Sequence, residues 1–205
     1  MPITIDGTGT ITGATTLAST VASPTFTTPA LGTPASGALT NCTGYPAITL
    51  GTEQATTSGT SIDFTGIPSG VKCIRVMFVG VSMSATADLM IQLGDSGGIE
   101  TSGYSSTGAN LAPTASFDSS TSGFRFSAGG WGGNTTVSGT VNLSLEDSSD
   151  FTWTSISVLA RTDSSDLGLG AGSKSLSAVL DRLRITTVAG TATFDAGAIN
   201  IQYES

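Results

Sequence analysis

From about Ser61 to its end the chain is a succession of short apolar runs separated by clusters of Gly, Ser, Asn and Asp. In "VKCIRVMFVGV" (71–81), Val71, Cys73, Arg75, Met77, Val79 and Val81 alternate with Lys72, Ile74, Val76 and Phe78. Both sets are mostly apolar, which predicts a strand buried on both faces or held between two sheets. "DLMIQLG" (88–94), "TSGFRFSA" (121–128), "TTVSGTVNLSLE" (135–146) and "FTWTSISVLAR" (151–161) read as further strands. In the last of these Phe151, Trp153, Ser155, Ser157 and Leu159 share one face, and Thr152, Thr154, Ile156 and Val158 share the other. The alternation places Trp153 in a core. "LDRLRITTV" (180–188) sets Leu183 and Ile185 against Arg182, Arg184 and Thr186, the arginines reading as solvated or subunit-facing charges. "TATFDAGAINIQYE" (191–204) reads as two short strands around Gly197, and only "KSLSAVLD" (174–181) hints at helical spacing. About eight strands with turn residues between them predict an all-β domain over 61–205, an antiparallel β-sandwich of jelly-roll-like type.

The first 60 residues follow another rule. Residues 1–22 are Gly-Thr-rich, with Ile3, Ile5, Ile11, Leu17 and Val21 widely scattered. Residues 23–60 contain one phrase twice, "TPALG" (28–32) and "TPASG" (33–37). Prolines at that spacing exclude a helix, because each removes a donor and clashes with the preceding turn. With Phe26, Leu31 and Leu39 as the large apolar residues of 23–44, the stretch cannot build its own core. Residues 1–60 read either as a linker, extended at most to about 200 Å, or as a segment that orders against other polypeptides. The repeated placement of Pro and Leu favours the second. Residues 1–60 are therefore expected to form an extended attachment and oligomerisation arm, with Phe26, Pro29, Leu31, Pro34, Leu39 and Tyr45 as its contact residues.

Composition narrows the function. Of 205 residues only 11% are charged, the net charge is −8, and Lys and Arg number seven. Such a chain cannot track a phosphate backbone, which excludes nucleic acid and charge-driven binding to anionic membranes. The longest apolar run, around 71–81, is too short to span a bilayer, so no membrane insertion is expected. "MPITIDGTGT" lacks a basic region and an apolar stretch, which argues against a secretory signal; the chain is expected to be made in a cytoplasm and to leave it, if at all, by another route. The two cysteines, Cys42 and Cys73, lie in different regions. Cys73 is expected to be a buried, inert thiol.

Chemistry is sparse. With no histidine in the chain, the commonest general base is missing, along with the usual triads and most zinc sites. The carboxylates of "GDSGGIE" (Asp95, Glu100) and "EDSSD" (Glu146, Asp147, Asp150) could pair for glycosidic cleavage. Their Gly/Ser-rich setting instead suits turn capping. Neither "EDSSD" nor "DSSD" (163–166) has the spacing of a calcium loop. No enzyme activity, metal or cofactor is expected. Tyr104 and Trp131, in Gly/Ser-rich stretches, are candidate platforms for stacking on the face of a sugar.

Several strings carry a resemblance. "SPTFTTPALGTPASGALTNCTGYP" (23–46) resembles a phrase near the N-termini of tailed-bacteriophage fibre and appendage proteins, where it precedes a β-rich distal domain. "MPITIDGTGTITG" (1–13) is similar to their start. "IDFTGIPSGVKCIRVMFVGVS" (62–82), "IQLGDSGGIETSGY" (91–104) and "LDRLRITTVAGTATFDAGAINIQYE" (180–204) are similar to the C-terminal domain found with them. The resemblance implies a virion structural protein, a homotrimer attached to other virion proteins of capsid or tail through its arm. A single copy of the arm phrase implies a short fibre-like appendage, displaying its sandwich for binding a host-surface glycan or protein. The alternative is a head-fibre-like decoration or cement protein that stabilises the capsid. The N-x-S/T triplets at Asn41, Asn134 and Asn142 carry no glycosylation signal in a bacterial host.

Overall fold

The described residues form fourteen strands, the apolar runs among them, and these pair only antiparallel. The computed structural model describes residues 48–133, 135–162 and 165–204, all within one unit, Gly44–Ser205. The strands are β1 (Ile48–Leu50), β2 (Gln54–Ala55), β3 (Ser61–Thr65), β4 (Cys73–Met83) and β5 (Leu89–Asp95). Then come β6 (Gly98–Ile99), β7 (Ser105–Leu111), β8 (Ser116–Ser120), β9 (Phe124–Arg125) and β10 (Val137–Asp147). The chain ends with β11 (Thr152–Arg161), β12 (Leu167–Ser175), β13 (Arg182–Thr187) and β14 (Phe194–Glu204). A large sheet has the order β1-β14-β4-β10-β11-β12-β7-β8, with β2 also pairing β14. A smaller sheet runs β3-β13-β5-β6, with β9 also on β5. The chain crosses repeatedly between the two, so their facing sides share one core.

The expected all-β sandwich is thus present, with four departures. First, 174–181 contains no helix: Lys174 and Ser175 end β12, and bends follow. Second, β4 is buried on one face only. Ile74, Val76 and Phe78 point inward, while Cys73, Arg75 and Val79 point to solvent. Third, the Cys73 thiol is therefore exposed rather than buried. Its register opposite Ser144 and Glu204 puts it on the outward side of the large sheet. Fourth, the sandwich begins before residue 61. Ile48–Leu50 pair with Gln202–Glu204 and Gln54–Ala55 with Ala198–Ile199, so 48–55 belong to the domain rather than to an arm.

The core is aromatic at its centre. Phe78 meets Phe126 edge-on at 5.7 Å, and Tyr104 meets Phe124 at 5.1 Å, both in the favoured T-shaped geometry. Trp153 is buried, as its place in the alternation predicts.

Part of the large sheet is lined by glycine instead of apolar side chains. Gly168, Gly170 and Gly172 occupy the inward positions of β12, and Gly108 that of β7. A Cβ at Gly108 would meet the Ser127 carbonyl oxygen at 2.6 Å, and one at Gly168 or Gly170 would strike the carbonyl oxygens of Phe126 or Arg125. Residues 124–128 therefore lie directly on this glycine floor, backbone against backbone. Gly168 and Gly170 of "LGLGAG" (167–172) admit them, while a Cβ at Gly172 would instead meet Ser105 and Ser106 of β7.

Candidate functional site

The carboxylates examined first for chemistry are held in a closed polar network. Asp95 ends β5 and is buried, accepting from the Ser177 hydroxyl at 2.7 Å and from the Gly97 amide at 2.7 Å. Those bonds, Ser177's foremost, hold its pKa below the ordinary aspartate value against a smaller opposing effect of burial. Glu100 accepts from the Ser177 hydroxyl (2.8 Å) and the Ser177 amide (2.7 Å), and it pairs with the buried Lys174 ammonium. Burial pushes Glu100 up, but the bonds from Lys174 and Ser177 outweigh it and leave the carboxyl below the ordinary range. The Ser177 hydroxyl has one proton and serves one carboxylate at a time. Both acids are thus held ionised by partners inside the protein, so neither is placed to deliver a proton.

Tyr104 completes this network from beneath. It is 3% exposed, and its hydroxyl accepts from the Leu93 amide at 2.7 Å and donates to the Glu100 carbonyl at 3.0 Å. The Lys174 ammonium lies 5.5 Å from its ring centroid. Burial drives the phenol pKa far above its usual value. Trp131 is fully buried as well, with its backbone bridging Ala87 through two 3.0 Å bonds. The expectation that Tyr104 and Trp131 offer faces to a sugar is therefore corrected. The hydroxyl bonds of Tyr104 and the bridge at Trp131 draw both rings inward from their Gly/Ser-rich segments.

A second buried cluster pins residues 124–128 to the glycine floor. Asp88 accepts from Arg125 Nη2 (2.6 Å), the Ser127 hydroxyl (2.7 Å) and the Gly130 amide (3.1 Å). Arg125 also reaches the half-exposed Asp118 at 3.1 Å. In the "EDSSD" turn Asp147 accepts from the Ser149 amide at 2.7 Å, a capping role. Among the described residues no three Asp, Glu or Cys side chains gather as a cation site.

With these carboxylates paired inside the protein, the outward faces remain. That of the small sheet is polar. Arg184 donates twice to Asp63 (2.7 Å each), and Arg182 donates to Asp181 at 2.7 and 3.1 Å. These bonds raise both guanidinium pKa values. Asp63, Thr65, Gly98, Arg182 and Arg184 line a shallow basin of about 420 Å³ there, its cations already paired.

The outward face of the large sheet is different. Strand register aligns Phe117, Ala109, Leu169, Val158, Thr140 and Met77 in one cross-strand row. The next row contains Thr107, Ala171, Ile156, Asn142, Arg75 and Gln202. On the other side of the first, Leu111, Leu167, Ala160 and Ser138 continue toward Val79. Phe117 is 66% exposed, Val79 65%, Ile156 61% and Val158 49%. Of the ten exposed large apolar side chains among the described residues, eight lie on this face or its margin at β1. Arg75 is the one charge in the three rows, and its Nε donates to Asn142 at 3.1 Å.

The arm contacts Phe26, Pro29, Leu31, Pro34, Leu39 and Tyr45 lie outside the described residues. Ile156 and Val158 were visible as one face of an alternating strand. Their exposure was hidden because an apolar face reads as a buried one. No family model, no characterised protein and no solved structure matches the chain.

Proposed function

We propose that this chain is a structural protein of a tailed-bacteriophage particle, a short fibre-like homotrimer that contacts other virion proteins through an N-terminal arm. Its work is contact, not catalysis. The observation that carries this reading is the combination of the doubled pentapeptide at 28–37, within the arm, with a sandwich whose widest face exposes apolar side chains and is nearly free of charge. The closed bonding of Asp95 and Glu100 supports a non-enzymatic role. The burial of Tyr104 and Trp131 favours the second form of the proposal, decoration or cementing of the capsid, over adhesion to a host-surface glycan. An averaged image of particles carrying a tag on this chain tests both forms. A shell-wide lattice would support decoration and exclude a dedicated tail fibre. Copies confined to the tail would exclude cementing, and no copies on the particle would overturn the proposal altogether.

A further inference from the structure

We infer that the outward face of the large sheet is the surface on which one copy of this chain packs against another. The inference rests on the homo-oligomer part of the proposed function and names the residues that would carry it. Size is the first argument. Seven strands, β14 to β8, at about 4.8 Å spacing and three rows about 6.7 Å apart cover about 34 by 20 Å, or about 700 Å². A standard stable interface needs about 800 Å² from each partner, and the margin at Ile48 and Leu50 (66% and 64% exposed) extends the patch toward that figure.

Charge is the second argument. The chain carries −8 overall, so two copies repel through most of their surfaces. The three rows carry only Arg75, so two copies brought together here meet without that repulsion and without desolvating unpaired acids. Relief is the third. The exposed Ile156, Val158 and Val79 stand beside the small Ala171, Ala160 and Ala198. Ridges next to hollows allow two such faces to interdigitate at the sheet-on-sheet distance of about 10 Å.

The test uses the full chain in sedimentation equilibrium at micromolar concentration. The wild type is expected at a multiple of its 20.4 kDa mass. The variant Ile156→Asp/Val158→Asp, altered only at outward positions, should keep its circular dichroism and shift to smaller species, with association weakened at least 100-fold. Val179→Asp, an exposed apolar position away from the face (48% exposed), should change nothing. A second readout separates the face from any contact made by the arm. In a Cys42→Ser/Cys73→Ser background, the thiol of Thr140→Cys at the patch centre should react with a maleimide at least tenfold more slowly in the assembled protein than in the dissociated double variant. An assembly that survives Ile156→Asp/Val158→Asp and leaves that thiol freely reactive overturns the face and leaves the homo-oligomer reading standing. A wild type monomeric at every concentration overturns both. A dimer supports the face and overturns only the three-fold count.

Discussion

Gly170→Ala is the most direct probe of how this sandwich is built. Gly170 lies in an extended strand and not in the left-handed region, so alanine costs nothing in backbone strain there. Judged on the strand alone, it should stabilise the protein by about 0.4–1 kcal/mol through the unfolded chain. The surroundings reverse the sign. The added Cβ would strike the Arg125 carbonyl oxygen and stand 2.8 Å from the Ser157 hydroxyl oxygen. The Arg125 segment has nowhere to go, because its amide donates to the Ser106 hydroxyl (3.0 Å) and its side chain is clamped by Asp88. Nor can β12 retreat, being paired on one side to β11 and on the other to β7. Overpacking of this kind costs about 1–3 kcal/mol. With backbone on both sides of the clash, the upper end applies, and a net loss of about 2 kcal/mol remains. For a domain of this size that is a fall in Tm of about 4–8 °C. Urea unfolding followed by the fluorescence of the buried Trp131 and Trp153 measures it, with the outward Ser173→Ala on the same strand as a neutral control. Gly168→Ala should cost at least as much, because its Cβ would also meet the Trp131 ring at 2.5 Å, and the double variant less than the sum, since one lifting of Arg125 and Phe126 relieves both carbonyl contacts. A Gly170→Ala protein as stable as wild type, or more so, would refute the glycine floor.

Three further outcomes follow from the same structure. Asp88→Asn leaves the buried Arg125 facing an amide and should destabilise the fold by about 3 kcal/mol, the low end for a broken buried pair, since Asp118 still reaches the guanidinium. Asp118→Asn, at the exposed end, should cost under about 1 kcal/mol by the same urea titration. Acid should weaken the fold in a defined window. Asp95 and Glu100 have folded pKa values below 3.8 and 4.5, so their contribution is complete above those values and is lost as pH falls through the lower folded ones. Urea midpoints should therefore drop below about pH 4.5, and Ser177→Ala, which removes the leading cause at Asp95, should flatten that drop; an unchanged slope would contradict the network. Finally, a chain lacking residues 1–47 should retain the sandwich by circular dichroism and fail to incorporate into particles, and normal incorporation would remove the arm from the proposal.

How far the sequence could be read depended on what each strand packs against. The strands with bulky alternation, 71–81, 151–161 and 180–188, are legible because large inward side chains bury most of their surface against the other sheet. Trp153 could be placed in the core for the same reason. The strands β7, β8 and β12 escaped because "SSTGANL", "SFDSS" and "LGLGAGSKS" are small-residue sequences of poor strand propensity. β7 and β12 are strands because backbone lies on their glycine face, and β8 because it pairs along β7, tertiary causes that no local pattern carries. The same limit hid Tyr104 and Trp131. Their neighbours read as loop, and only a partner 11 residues away (Leu93) or a bridge to Ala87 draws them inside. At β4 the error ran the other way: two apolar faces suggested two buried ones, yet Cys73 and Val79 face outward.

The distribution of charge ties the fold to assembly. Arg125, Lys174, Arg182 and Arg184 are each joined to a carboxylate of the same chain, and so is Arg161 through Asp166 at 2.8 Å. A chain with seven cations that uses five within itself has little left with which to recruit an acidic partner, and the proposed self-association draws instead on shape and apolar area. The sheet edges are poorly suited to supply it. β1 has three residues and β2 and β6 two each, too short for a long main-chain ladder, while Asp118 and Asp63 charge the edge strands β8 and β3. Short, charged edges are how sheet proteins avoid adding strands from a neighbour. The broad face, with Arg75 as the one charge in its three rows, has no such guard. Short, charged edges beside the exposed Phe117, Ile156, Val158 and Val79 are what the proposed self-association requires, since copies that meet face to face must not first add strand to strand.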